Sequence, residues 1–185
     1  MTRGVSQVDR RVDRSRRQLH TALVALILER GWDRVTVRAV CARAGVGRST
    51  FYVHFADKED LLIGGIDHVR DDLRDQRRSS SPFGFVRGMI EHADGSRRLF
   101  RAVIGKRSGL AVQRRFRQVM LELVTDELTA RGIRGARAAT ASRFLAGALV
   151  ELLIAWVDGD SRTSPAELEH AYIELAMPVL RTLAR

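Results

Sequence analysis

At 185 residues the chain is long enough to bury a real core, as one unit or two small ones. Lys and Arg total 32 against 22 Asp and Glu, a formal net charge of +10, which favours a polyanionic partner: nucleic acid or an anionic membrane surface. A single cysteine excludes an intramolecular disulfide and a multi-cysteine metal site. Met1 to Arg14 are polar and basic and read as an arm, disordered over 1–12. Its Arg3, Arg10, Arg11 and Arg14 suit either an adjacent minor groove or plain nonspecific attraction. No apolar run of signal-peptide type stands at the N-terminus. The longest apolar run, Phe144 to Val157, is interrupted by Glu151 and reads as too short to span a bilayer. A cytoplasmic protein without a membrane partner is expected.

The first helix is expected from about Arg16 to Arg30, with Ser15 and Gln18 as a capping box and Gly31 as its stop. Leu19, Ala22, Leu23 and Leu26 form its apolar face. Val37, Val40, Cys41 and Ala44 then recur at i, i+3, i+4 and i+7, a second short helix ending before Gly45. Cys41 lies on that stripe, so it reads as a packing residue. Arg48 to His54 forms a third short segment with Arg, Ser, Thr, Tyr and His on its outer face. A helix, a tight turn and a helix crowded with groups that bond phosphates or base edges is the layout of a helix-turn-helix. A fourth helix starts after Asp57, with Asp60 in its first turn, and runs toward Arg78. Gly64-Gly65 weakens it by roughly 1 kcal/mol per Gly relative to Ala.

Ser79-Ser80-Ser81-Pro82 separates this head from a helical body. The spacing predicts helices over Phe83–Ala93, Arg97–Lys106, Leu110–Arg131, Ala136–Val157 and Pro165–Leu183, with a kink at Pro178. The fold class is all-α, about nine helices, with an arm over 1–12, a head over 13–73 and a body over 74–185. The helix from Ala136 is apolar on nearly every side, and the last one carries Leu168, Tyr172, Leu175, Val179 and Leu183 on one stripe. Two such helices are over-hydrophobic for a monomer of this size. A symmetric homodimer through helices 136–157 and 165–183, paired as a four-helix bundle, accounts for them.

The ordered run of features in the head resembles the DNA-binding domain of the TetR/AcrR family of bacterial transcriptional regulators. Gly31 and Trp32 close the first helix, Thr36-Val37 opens the second, and Ala44-Gly45-Val46 makes the turn. Thr50, Phe51, Tyr52, His54 and Phe55 form the recognition segment, followed by Lys58-Glu59-Asp60-Leu61-Leu62. The match covers about the first third of the chain. Three departures stand out: Gly47 where Ser commonly caps the recognition helix, Ser49 where Gly is frequent, and Val53 where Arg or a polar residue is common. The operator therefore cannot be copied from a relative.

With the third helix in a major groove, Tyr52, His54, Thr36 and Lys58 suit phosphate contacts, and His54 suits a structural role equally well. Arg48, Ser49, Thr50 and Val53 fall to base readout, Arg48 toward guanine and Val53 toward a thymine methyl. Phe51 and Phe55 are expected in the core. Two heads in a dimer would lie about 34–36 Å apart on double-stranded DNA. By the same resemblance the body holds a small-molecule effector whose identity the sequence leaves open. Phe85, Met89, Phe100, Ile104, Phe116, Met120 and Phe144 are its candidate walls, with His92 and Glu151 as polar anchors. Each of these residues has an equally plain reading as core or surface. No cofactor, metal site or catalytic residue is expected, since no nucleophile elbow, phosphate loop or metal-binding motif occurs. A nonspecific architectural DNA binder is the main alternative.

Overall fold

Ser15 does not cap the first helix. In the computed structural model, which describes residues 7–76, 81–104, 110–159 and 163–183, helix α1 (Gln7–Arg30) begins eight residues before it. The basic segment read as a disordered arm is helical from Gln7 onward, because a polar, charged helix face and a solvated tail share one composition. Arg3, Ser79-Ser80 and Lys106 lie outside the described residues. A short 3-10 turn (Trp32–Arg34) follows α1, then α2 (Val37–Ala44), α3 (Arg48–His54) and α4 (Lys58–Gln76).

Local chemistry sets these boundaries. Gly31 adopts φ 77 where α1 ends, and Gly45 adopts φ 64 at the turn between α2 and α3, a left-handed conformation that costs glycine nothing. The Thr36 hydroxyl caps α2 by accepting from the Ala39 N–H at 3.2 Å. Gly47 offers α3 no side-chain cap. At the start of α4, Asp57 accepts from the Asp60 N–H at 2.8 Å, while Asp60 accepts from the Ala56 N–H at 2.9 Å. Leu19, Leu23, Leu26, Trp32, Val40, Cys41, Phe51 and Leu61 are buried together as the core of the head.

The body comprises α5 (Phe85–Gly95), α6 (Arg97–Ile104), α7 (Leu110–Ala130), α8 (Ala136–Asp158) and α9 (Pro165–Leu183). Nine α-helices and no strand occur among the described residues, the all-α class expected. Helix α5 starts two residues late, because Phe83 takes φ 56 and turns the chain. That conformation is unusual for an aromatic residue, and a buried carboxylate holds it. Glu127 accepts from the Phe83 N–H at 3.1 Å and from Arg131 at 2.7 Å. The Phe83 ring also meets Tyr172 edge-on at 5.9 Å.

Helix α8 is the centre of the body and packs against α5, α6, α7 and α9. By length and composition alone it would cross a membrane, contrary to the shorter run read from the sequence. Of its most apolar stretch 44% is buried inside the chain, beneath the four helices that pack on it. Helix α9 opens on a reciprocal cap between Ser164 and Glu167 and continues through Pro178 to Leu183. Its buried stripe is Leu168, Tyr172, Ala176 and Leu180. Leu175, placed on that stripe from the sequence, faces outward at 71% exposure, since the neighbouring helices cover only one side of α9.

Head and body are joined along α4 and α7 by an ionic lattice. Arg115 of α7 pairs with Asp67 and, at 2.8 Å, with Glu122; Arg70 reaches Glu122 at 3.3 Å and Arg74 reaches Asp126 at 2.9 Å. The charged later part of α4 is thus largely the head's attachment to the body.

Candidate nucleic-acid interface and the cavity behind it

Helix α3 divides cleanly between an anchored side and an open side. Phe51 is fully buried, with its ring edge-on to Tyr52 at 5.3 Å and tilted against Phe55 at 5.7 Å. Arg48, Ser49, Tyr52 and Val53 are exposed, Val53 at 76%. Thr50 and His54 are half-buried, and the His54 ring lies against Phe55 at 6.3 Å. A seven-residue helix thereby presents a guanidinium, hydroxyls, a phenol and an apolar methyl pair from one scaffolded surface. Those are the groups that bond guanine edges, phosphates and thymine methyls.

Thr36 sits exposed at the start of α2. Its cap uses an oxygen lone pair, so the hydroxyl proton stays available to a phosphate. Lys58 is placed differently from expectation. Its ammonium donates to the carbonyls of Trp32 and Val35, both at 2.9 Å, and stands 4.3 Å from the centre of the Trp32 ring. This lysine staples α4 to the end of the 3-10 turn.

Sequence comparison gives the same domain order. The family described as "Bacterial regulatory proteins, tetR family" matches residues 19–64, and a "Transcriptional regulator C-terminal region" matches residues 80–177. The chain belongs to the tetR family. This tetR-family protein is 21% identical over 179 residues to the fatty acid metabolism regulator protein of Bacillus subtilis (strain 168), covering 85% of the chain and 91% of that protein. A TetR transcriptional regulator from Streptococcus agalactiae 2603V shares its fold at a TM-score of 0.69 and 22% identity, covering 91% of this chain and 97% of the other. The fatty acid degradation regulator FadR from Bacillus halodurans does so at 0.59 and 21%, covering 92% and 94%. The tetR-family chain is thus a DNA-binding transcriptional regulator.

Behind the head, a cavity of about 100 Å³ lies where α1 and α4 meet α5, α6 and α7. Six of the residues expected to line an effector site line this cavity: Met89, His92, Phe100, Ile104, Phe116 and Met120. Phe85 is fully buried against Phe83 instead. Phe144 and Glu151 are corrected: both lie on the open side of α8, Phe144 at 63% exposure and Glu151 beside Arg117 at 3.7 Å. An apolar helix does not reveal which of its faces its neighbours will cover.

The sequence reading missed the wall supplied by the head. His20 of α1 and Leu62, Gly65, Ile66, Val69 and Leu73 of α4 form it, and Leu99, Val103 and Val119 complete the body's side. Gly65 marks this wall, because a side chain there would overlap the His20 imidazole. The glycine read as a weak point in α4 is a contact point between helices. Burial holds both His20 and His92 below the usual histidine pKa; nearby His68 and His92 add to the effect on His20, and Asp72 partly opposes it at His92.

Proposed function

We propose that the protein is an effector-responsive homodimeric repressor that binds a near-palindromic operator through α3. The observation that carries this reading is the division of α3: Phe51 locked in the core while Arg48, Ser49, Tyr52 and Val53 stand open beside the Thr36 cap. An exposed valine among polar groups suits a thymine methyl better than a phosphate, which favours sequence reading over architectural binding. Lys58 is left out of the phosphate contacts because two carbonyls engage it. The setting is cytoplasmic, where the chromosome is accessible.

Selection of bound fragments from a random double-stranded pool tests the reading. A palindrome with half-sites about one helical turn apart, near 34–36 Å, is the expected product. Recovery of fragments without a common motif overturns it in favour of an architectural role. Arg48→Ala should relax preference at a particular base pair by about 1–3 kcal/mol, whereas Tyr52→Ala should weaken all sequences alike. Quantitative binding to the operator and to single-base variants separates the two effects.

The outward faces of α8 and α9 support the dimer. Phe144 and Leu175 are exposed, close to the small residues Gly147 and Ala171 that permit close helix approach. Phe144→Asp places like charges near a two-fold axis and should weaken association by about 2 kcal/mol or more. Sedimentation velocity across a concentration series reads that shift, and an unchanged dissociation constant sends the interface elsewhere.

A further inference from the structure

The cavity between head and body is apolar on every wall but two. His20, half-buried, enters from α1 and His92, partly open to solvent, from α5. What α4, α6 and α7 contribute is glycine, aliphatic, aromatic or thioether, with no titratable group among them. The polar end of any occupant therefore has two side-chain partners, one belonging to the head and one to the body. Each neutral imidazole carries one N–H donor and one acceptor nitrogen. Two of them together can give a hydrogen bond and receive one across a single flat group. A carboxyl group supplies the complement on two separate oxygens, whereas an alcohol concentrates both functions on one atom. An ammonium group only donates, and the cavity provides no anionic wall for it.

We infer that this cavity binds a small apolar carboxylic acid, its tail among Phe100, Phe116 and Met120 and its carboxyl bridging His20 and His92, with one proton taken up from solvent. This rests on the effector reading above. The free ligand is a carboxylate near neutral pH and the two histidines are neutral before it arrives. Burying the carboxylate beside them requires one added proton, held either as the acid or on an imidazolium. Apart from the O–H or N–H bond that this solvent proton forms, no covalent bond changes. The other ionisable groups acting on this pair, His68 at His20 and Asp72 at His92, both stand on α4 and pair with each other at 3.8 Å. A cavity of about 100 Å³ admits a tail of only a few carbons, since an apolar cavity of about 150 Å³ holds benzene.

Titration calorimetry of the full chain with propanoic, butanoic and pentanoic acids and the matching alcohols, in two buffers of different ionisation enthalpy, tests the inference. The expected result is uptake of about one proton per acid bound and affinity falling up to about tenfold per pH unit above about pH 7. The alcohols should bind more weakly and take up none. A His20→Gln, His92→Gln double variant, its folding verified by thermal melting, should lose the proton uptake and at least about tenfold in acid affinity. Equal binding of acids and alcohols, acid binding without proton uptake, or no acid binding each overturns the inference. Operator binding measured on the same samples keeps the two readings apart, because its loss would sink the regulator reading whatever the acids do.

Discussion

Phe51→Ala should cost the head about 3–5 kcal/mol and abolish operator binding, the range for removing a fully buried aromatic ring. The effect is large because α3 has little else to hold it. Its seven residues are too few to be helical alone, and Gly47 contributes no cap. The Phe51 ring, fully buried in the core, is the side chain by which α3 is held beside α2. Tyr52→Ala should also cost operator affinity while changing stability little, since that ring is half open to solvent. Chemical denaturation and operator binding on both variants form the comparison. A Phe51→Ala protein that keeps its stability to within about 1 kcal/mol would mean that another contact anchors α3.

Lys58→Met should destabilise the head by about 3 kcal/mol, with weaker DNA binding only as a consequence. Hydrogen bonds from a charged donor contribute about 1.5–3 kcal/mol each, and the ammonium over the indole adds about 0.5–1, though the three contacts are not additive. Methionine keeps the unbranched stem, one atom shorter, and removes the charge, leaving the carbonyls of Trp32 and Val35 without their donor. The measurement is again denaturation paired with a salt series of operator binding. Unchanged stability, with the logarithmic salt slope reduced by about one, would return Lys58 to the phosphate contacts.

Features encoded within a few residues of one another could be read from the sequence. The α2–turn–α3 unit is of this kind: Thr36 caps three residues on, Gly45 takes the left-handed conformation, and the apolar stripe repeats at helical spacing. So is the Asp57–Asp60 cap of α4, and the gap between α7 and α8, where Gly132 follows the end of α7 and Gly135 precedes α8, both at positive φ. What escaped depends on partners distant in the chain. Nothing near Lys58 signals that carbonyls 23 and 26 residues earlier will lie within reach of its ammonium. Nothing near His20 signals that a glycine on α4 clears space for its ring. The start of α1 was hidden for another reason: Ser15 and Gln18 satisfy the capping pattern locally, yet a helix entering from Gln7 leaves them as interior positions. At Phe144 and Glu151 the sequence is silent because α8 is apolar nearly all round, and only packing decides which face is covered.

Cys41 offers a clock for the opening of the head. It is the chain's only thiol, 4% exposed on the inner side of α2, and burial pushes its pKa above the usual cysteine value. A thiol reagent in excess therefore reacts at a rate set by how often the head unfolds enough to admit it, so the logarithm of the slowing relative to a free thiol measures the opening free energy. Run with and without DNA or a small acid, the same reaction gives the change that each ligand makes in the head's local stability. No label and no engineered residue is needed.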